Sequence, residues 1–249
     1  MPDSVIKSAA AAAAAAPGPG PAAYYDGFAA AYSARNENSL FNAFYERPEM
    51  IRLAGDVAGL EVLDAGCGSG PLTEALRAKD AVVSGFDLSP DMVELARERL
   101  GEDADVRVAD LGAPLPYPDD KFDLVVASLA LHYVEDWASA LAELRRVLKP
   151  GGRLTVSIIH PMVYAIVYPK ADYFALTQYS EDYDYGEETV WMTYWHRPLQ
   201  DVINTFIDAG FRIKMVTEPP PAADTPAELL PNADGRSFIC FLFFELEAH

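Results

Sequence analysis

The 249-residue chain is poor in cysteine and in basic residues, and both shortages exclude classes of protein. Its two cysteines, Cys67 and Cys240, are too few for a disulfide framework or a cysteine-based zinc site. Lys and Arg number 19 against 38 Asp and Glu, which gives a net charge of −19. Because binding to nucleic acid or to an anionic membrane requires clustered basic residues, we expect neither partner.

The N-terminal segment, residues 1–23, contains little besides alanine, proline and glycine after its first few residues. One lysine before an alanine run is also a feature of secretion signals, but Asp3 offsets Lys7, and alanine forms a weak apolar core for such a signal. We therefore expect a disordered, low-complexity tail without an assigned function, and a cytoplasmic protein. The chain also lacks the uncharged apolar run of about 20 residues that a membrane helix needs.

The chain does have enough apolar residues to fill a core, 51% of the total, and we expect a single domain over residues 24–249. Residues 24–58 predict cap helices in two stretches, and the apolar pattern of the second stretch continues across a break at Pro48. Residues 59–160 alternate β-rich and helical segments and are expected to form the ligand-binding core. Residues 162–196 show no regular period, and we expect them to form an irregular insertion that acts as a substrate lid.

The order of the predicted elements indicates an α/β, Rossmann-like fold. The last two predicted strands, 212–217 and 237–246, have no helix between them and are expected to pair as a hairpin. One of the two must then run antiparallel to the other strands. We therefore predict a seven-stranded, mostly parallel sheet with one antiparallel strand in a C-terminal hairpin, and helices on both faces of the sheet.

A glycine loop follows the first predicted strand, with the sequence Asp64-Ala-Gly-Cys-Gly-Ser-Gly70. Glycines at this place let the backbone turn tightly and approach a ligand closely. A dinucleotide-binding loop would need glycine where Pro71 stands, and the Gly-Lys-Ser/Thr of an ATP-binding loop is absent. The loop therefore disfavours a nicotinamide cofactor and ATP.

Two further acids end the next two predicted strands. Asp87 is placed to accept hydrogen bonds from both hydroxyls of a ribose, and Asp110 to accept one from the amino group of an adenine. Each aspartate alone fits a helix cap or a solvated charge, but with Asp64 they put three acids at the ends of three successive strands. Since no basic residue lies nearby, we expect a ligand with a ribose and an adenine that needs no phosphate site.

Together these motifs resemble the class I S-adenosylmethionine-dependent methyltransferases, in particular those that methylate quinones and natural products. The resemblance is close over residues 24–160 and loose beyond them. It rests on the glycine loop and on four further motifs: Gly85-Phe-Asp-Leu-Ser89, Ala109-Asp-Leu111, Phe122-Asp-Leu-Val-Val126 and Leu148-Lys-Pro-Gly-Gly152. It implies that S-adenosylmethionine is the cofactor.

The resemblance also implies roles for the matching residues. Asp64 would orient the amino group of the cofactor. Asp87, with Leu88 beside it, would hold the ribose. Asp110 and Leu111 would contact the adenine. The other implied cofactor residues are the glycines under the methionine part, the serine that ends the fourth strand and two tyrosines of the cap helices, which fit a core role equally well: Gly66, Gly68, Gly70, Ser128, Tyr25 and Tyr32.

Methyl transfer to an acceptor that carries a proton calls for a general base. His132 follows the fourth predicted strand and His160 ends the fifth, so both are expected at the carboxyl edge of the sheet. We predict that they act as the base or contact the substrate, the alternative for each being a packed, hydrogen-bonded ring. No Asp or His spacing suits a metal ion, and a metal-free reaction is expected.

The predicted function is methyl transfer to a small organic molecule at oxygen, nitrogen or carbon. A protein methyltransferase and a cofactor-binding protein without transfer activity are the alternatives. A nucleic acid substrate is disfavoured by the net charge and by the sequence Ser128-Leu-Ala-Leu-His132, which lacks the Asn/Asp-Pro-Pro-aromatic tetrapeptide of base-methylating relatives. No membrane partner is expected, and the protein is expected to be a monomer or a homodimer.

Overall fold

A computed structural model describes residue 25 and residues 27–185, 188–231 and 238–249. The predicted tail over residues 1–23 lies outside the described residues. The strands are β1 Glu61–Ala65, β2 Val82–Asp87, β3 Val106–Val108, β4 Phe122–Ser128, β5 Leu148–Ile159, β6 Thr177–Tyr185, β7 Glu188–His196, β8 Phe211–Thr217 and β9 Phe241–Ala248. The α-helices are α1 Ala29–Asn36, α2 Arg47–Ala54, α3 Pro71–Arg77, α4 Pro90–Leu100, α5 Trp137–Val147, α6 Pro161–Val167 and α7 Leu199–Asp208.

Seven strands form one sheet in the order β3-β2-β1-β4-β5-β9-β8. The pairs β1–β2, β1–β4, β2–β3 and β4–β5 are parallel, whereas β9 runs antiparallel to both of its neighbours, β5 and β8. The predicted fold is therefore confirmed, including the single antiparallel strand in the C-terminal hairpin. The strand order reverses between β1 and β4, and ligands of open α/β sheets bind at the carboxyl ends of the strands beside such a reversal.

The central strand β4 shows why the sheet is buried on both faces. Val125 packs into the cluster that contains α5 and α7, whereas Leu124 and Val126 pack into the cluster beneath α2 and α3. Successive side chains of a strand point to opposite faces, so a continuous apolar run is needed when helices cover both. None of the helices in the described part of the chain has the length and apolar character of a membrane span.

The predicted helix break at Pro48 is wrong. A π-helical segment, Asn42–Glu46, leads directly into α2, and the Arg47 N–H bonds to the Asn42 carbonyl five residues back. Pro48 lies in the first turn of α2, where a missing N–H is tolerated. It cannot bond to the Phe44 carbonyl, which accepts the Ala222 N–H at 2.6 Å instead. The helical path therefore continues through Pro48, from the π-helical segment into the α-helix.

The expected irregular insertion over residues 162–196 is also wrong, because the segment contains α6 and a separate hairpin of β6 and β7. The strands pair in continuous register from Thr177–His196 to Tyr185–Glu188. Met192, Thr193 and Tyr194 are all buried although they succeed one another on β7. With both faces of the strand covered, the two-residue alternation that marks a half-buried strand is absent.

Candidate active site

A cavity of about 530 Å³ opens at the carboxyl ends of β1, β2 and β4. All the residues that the sequence predicts for the cofactor line this cavity except Gly70: Tyr25, Tyr32, Asp64, Gly66, Gly68, Asp87, Leu88, Asp110, Leu111 and Ser128. Gly70 is instead the N-cap residue before α3; it has a left-handed conformation, and a Cβ built on it would lie 3.1 Å from Leu100 Cδ1. The segments that are separate in the sequence therefore meet at one site.

Steric constraint explains the first glycine of the loop. Gly66 has a φ of 77°, and a Cβ built on it would lie 2.8 Å from the Cβ of Ala130, which follows β4. Both the backbone conformation and the close approach exclude a side chain at this position. The loop is thereby held against the strand end that forms the neighbouring wall of the cavity.

Asp64 is a buried carboxylate with one unsatisfied oxygen. Its Oδ2 accepts a hydrogen bond from the Thr73 hydroxyl at 2.6 Å, while Oδ1 has no partner among the described residues. Burial, as the largest cause, raises the pKa of Asp64 to about 7. A ligand with a cationic donor would give Oδ1 the hydrogen bond that it lacks and would also supply the opposite charge.

Asp87 is held by the backbone on both sides. Its Oδ2 accepts the Gly68 N–H and its Oδ1 accepts the Ser89 N–H, each at 2.9 Å. Burial raises the pKa of Asp87, and these backbone bonds oppose the rise. The two bonds fix the carboxylate between the glycine loop and the start of α4. The lone pairs that these bonds do not use therefore keep a fixed direction.

Asp110 lies further along the same wall and is more exposed. Its Oδ1 accepts the Gly112 N–H at 2.8 Å, which forms a tight turn around the carboxylate. The neighbouring Leu111 is buried and also lines the cavity. This end of the cavity therefore offers one acidic group beside an apolar surface.

Helix α1 and the residues before it cover the cavity through direct contacts with its floor. The Tyr25 hydroxyl lies 2.7 Å from that of Tyr133, and the rings of Tyr25 and Tyr32 pack edge to face with centroids 4.8 Å apart. The Ser33 hydroxyl lies 2.7 Å from that of Ser69 in the glycine loop. The cap is thus attached both to the loop and to the segment after β4.

Residues outside the predicted cofactor set also line the cavity. Glu46, from the π-helical segment, accepts hydrogen bonds from the hydroxyls of Ser128 and Ser157. Gln178 and Trp195, which are paired across the hairpin, also line the cavity. An isolated acid in a predicted helix carries no signal for a site, so sequence patterns offered no means of finding Glu46.

The two predicted catalytic histidines lie outside the large cavity. His132 and His160 line a much smaller neighbouring cavity of about 20 Å³. Burial lowers the pKa of His132 to about 3, and its Nδ1 has no partner in the described part of the chain. His160 caps α6, since its Nδ1 accepts the Met162 N–H at 3.0 Å, and its Nε2 lies 2.8 Å from Glu218 Oε1.

Comparison with known proteins identifies the class of this site. Residues 63–156 match the family model described as a methyltransferase domain. A demethylmenaquinone methyltransferase of Tropheryma whipplei (strain Twist) is 37% identical over 116 residues, covering 46% of this chain and 48% of the relative. A 27-O-demethylrifamycin SV methyltransferase of Amycolatopsis mediterranei (strain S699) is 42% identical over 114 residues, covering 42% of each chain. The chain spans about half the length of the curated relatives it matches.

The structural comparison extends further along the chain. The crystal structure of an S-adenosylmethionine-dependent methyltransferase from Mesorhizobium loti is 29% identical and has a TM-score of 0.61. The similarity covers 80% of this chain and 96% of that one. Residues 63–156 therefore match a methyltransferase domain, and the Rossmann-like fold around them is similar to that of a solved S-adenosylmethionine-dependent methyltransferase.

Proposed function

We propose that the chain transfers a methyl group from S-adenosylmethionine to a small organic acceptor, at oxygen, nitrogen or carbon. One observation carries the proposal: a single cavity joins the predicted cofactor loops to aromatic and polar side chains from the cap and the hairpin. The named substrates of the two curated relatives, demethylmenaquinone and a demethylrifamycin, are small organic molecules and support the same class.

The residues present fit S-adenosylmethionine. The unsatisfied Asp64 Oδ1 suits the ammonium group of the amino acid part, which would favour the ionised carboxylate. Asp87, fixed by its two backbone bonds, would accept from the ribose hydroxyls, and Leu111 with Asp110 would receive the adenine. When bound, S-adenosylmethionine supplies a methyl group that is already activated by its sulfonium.

The protein's remaining tasks are to position the acceptor and to exclude water. Tyr25 and Tyr133, joined through their hydroxyls, close one side of the cavity, and Trp195 of the hairpin closes another. Aromatic walls of this kind suit a flat organic molecule. The hairpin thus supports the lid role that the sequence predicted for residues 162–196.

Several finer predictions belong to the same proposal. His132 and His160 stay candidates for the base or for substrate contact, to be tested by exchange of each for alanine. A metal-free reaction, the lack of a nucleic acid substrate, a monomeric or homodimeric state and a cytoplasmic location are further predictions. In the described part of the chain, no cluster of three or more His, Cys, Asp or Glu is arranged to hold a metal ion.

Labelled methyl transfer distinguishes the proposal from its alternatives. The protein is incubated with methyl-labelled S-adenosylmethionine and separate pools of metabolites, RNA and protein. We expect label in the metabolite pool only. Label in the protein pool would indicate a protein methyltransferase, whereas tight binding of S-adenosylhomocysteine with no label in any pool would indicate a binding protein without transfer activity. Calorimetry that shows binding of NAD and none of S-adenosylhomocysteine would contradict the cofactor assignment.

A further inference from the structure

Glu46 is an acid buried inside the proposed methyl-transfer cavity. Its side chain lines the cavity although the residue is only 3% exposed. Burying an ionised carboxylate is unfavourable unless hydrogen bonds or opposite charges compensate it. The residues around Glu46 must therefore explain its placement in the wall of the cavity.

Two serines on adjacent strands hold one oxygen of Glu46. Ser128 of β4 and Ser157 of β5 face each other in register, and their hydroxyls donate to Oε1 at 2.7 and 2.6 Å. Ser157 also accepts the Leu129 N–H at 2.9 Å, which orients its hydroxyl hydrogen toward the acid. The hydrogen bonds found among the described residues all end on Oε1, which leaves Oε2 for a ligand.

The backbone that carries Glu46 is irregular but firmly held. Glu46 ends the π-helical segment, and single π-helical turns inside helices occur frequently at functional sites. The segment is fixed from outside, since Ala222 donates its N–H to the Phe44 carbonyl and the Tyr45 hydroxyl accepts the Cys240 N–H. A side chain that takes part in chemistry must be carried by a rigidly held backbone.

We propose that Glu46 is a catalytic residue whose Oε2 accepts the proton that a flat, aromatic acceptor with an O–H or N–H group loses on methylation. The proposal rests on the proposed function and names its substrate class. The acceptor's lone pair forms the bond to the methyl carbon, and the electrons of the broken carbon–sulfur bond stay on sulfur. The proton of the acceptor goes to the Glu46 carboxylate, so the charge lost by the sulfonium is balanced by protonation of the acid.

The surroundings of Glu46 suit this task. Burial raises its pKa, and the serine hydroxyls and Arg47 oppose the rise. A general base is most effective when its pKa lies near the working pH, so a raised pKa makes a carboxylate a better proton acceptor. The other titratable groups near it include Tyr32 and Asp64, whose pKa values its charge helps to raise. Tyr32 already has a proposed role in the cap and Asp64 in binding the cofactor, whereas Glu46 Oε2 has no other proposed role.

The first test compares two neighbouring acids on one helical path. Glu46→Gln keeps an oxygen for both serines but removes the proton acceptor, whereas Glu49→Gln changes a buried acid bonded to Arg52 and Thr217 outside the cavity. Labelled transfer to a panel of simple phenols and anilines selects the best acceptor of the wild-type protein. We expect kcat to fall about 100-fold or more in Glu46→Gln and less than twofold in Glu49→Gln.

Calorimetry separates failure of this proposal from failure of the proposed function. We expect S-adenosylhomocysteine to bind Glu46→Gln within about threefold of wild type. If wild type does not bind it, the proposed function fails. If wild type binds it and Glu46→Gln retains kcat within threefold, the role of Glu46 is refuted and the function stands. A loss of transfer in His132→Ala or His160→Ala, with Glu46→Gln unaffected, would assign the base to that histidine instead.

A second readout needs no turnover. The acceptor probe 4-nitrophenol changes its absorbance when it ionises, so its titration is followed in the presence of protein saturated with S-adenosylhomocysteine. The Glu46 carboxylate should bind the neutral phenol by accepting its hydrogen and should repel the phenolate. We expect ionisation of the bound probe at higher pH with wild type than with Glu46→Gln. Equal titrations with the two proteins, or no binding to wild type, would overturn the proposal.

Discussion

The two ends of the cavity are built in different ways. At the proposed cofactor end, Asp64 and Asp87 lie near the carboxyl ends of β1 and β2, Asp110 follows β3, and each has a backbone or hydroxyl donor that sets its orientation. At the proposed acceptor end, Glu46 and Trp195 come from segments far apart in the sequence and line the same cavity only in the fold. The first end depends on short local motifs, and the second depends on tertiary placement.

The two ends therefore differ in how freely their residues can vary among related proteins. A local motif fixes backbone groups that any chain with the same glycine loop provides, so one ligand can be shared among relatives with different substrates. Side chains supplied by a cap segment and an added hairpin can change without disturbing the sheet, as is usual for loops and insertions on a rigid scaffold. Cofactor affinity and transfer to the acceptor should therefore respond separately to substitutions at the two ends.

The largest expected effect lies at the cofactor end and concerns the pH dependence of stability. The pKa of Asp64 is raised from 3.8 to about 7, so the ligand-free folded protein keeps a proton that the unfolded chain releases as pH rises through this window. The contribution of Asp64 to the free energy of unfolding therefore falls with rising pH. The fall is complete above pH 7 and amounts to at most about 4 kcal/mol. Asp64→Asn removes this fall.

Urea unfolding of wild type and Asp64→Asn between pH 4 and pH 8 checks the sign. The variant should gain stability relative to wild type as pH rises. Asp123→Asn is the contrasting control, because the pKa of Asp123 is lowered by hydrogen bonds from Lys149 and the Glu61 N–H, despite an opposing effect of burial. The contribution of Asp123 is present above the unfolded pKa and is lost as pH falls. If the unfolding free energies of wild type and Asp64→Asn changed with pH in parallel, the raised pKa of Asp64 in the folded protein would be refuted.

The second prediction tests whether Asp87 binds the ribose. Asp87→Ala removes the acceptor of two hydroxyl hydrogen bonds, each worth at least about 1.5 kcal/mol to a charged group. Affinity for S-adenosylhomocysteine should then fall about 100-fold. Calorimetry measures the loss, with Glu94→Ala as control, because Glu94 is an exposed acid on α4 that does not line the cavity. Undiminished affinity would remove Asp87 from the cofactor site.

The same difference explains how much the sequence could predict. The mostly parallel sheet with its antiparallel C-terminal strand followed from the alternating elements. The motifs whose residues lie close together in the chain indicated residues that line one cavity, and their role in binding the cofactor stays a prediction. Glu46 could not be predicted, because its role depends on Ser128 and Ser157 being brought opposite the π-helical segment. The hairpin was missed because the successive residues Met192, Thr193 and Tyr194 of β7 are all buried, which hides the two-residue period of the strand.

The third prediction separates backbone conformation from steric fit within the glycine loop. Gly66→Ala and Gly68→Ala both place a side chain at positive φ, but only the Cβ at position 66 meets a neighbour, the Ala130 Cβ at 2.8 Å. We expect a loss of about 1 kcal/mol of unfolding free energy for Gly68→Ala and about 2–3 kcal/mol for Gly66→Ala. Adding Ala130→Gly should relieve part of the larger loss.

A double-mutant cycle on positions 66 and 130, followed by urea unfolding, gives the coupling free energy directly. A favourable coupling of about 1 kcal/mol would show that the loop is held against the end of β4 by close packing. Additive effects of Gly66→Ala and Ala130→Gly would contradict the contact.

The smallest expected effect tests the acceptor end through the hairpin. Trp195→Ala removes an aromatic wall of the cavity, while the cofactor residues are untouched. Because stacking and exclusion of water act on the acceptor, kcat/KM for the best phenol or aniline should fall about tenfold, with affinity for S-adenosylhomocysteine within twofold of wild type.

Trp191→Ala is the matched control, since Trp191 lies on the same strand, is 42% exposed and does not line the cavity. Equal kinetics for Trp195→Ala and Trp191→Ala would mean that the hairpin packs without selecting the acceptor. A loss of S-adenosylhomocysteine affinity in Trp195→Ala would instead show that the two ends of the cavity are coupled.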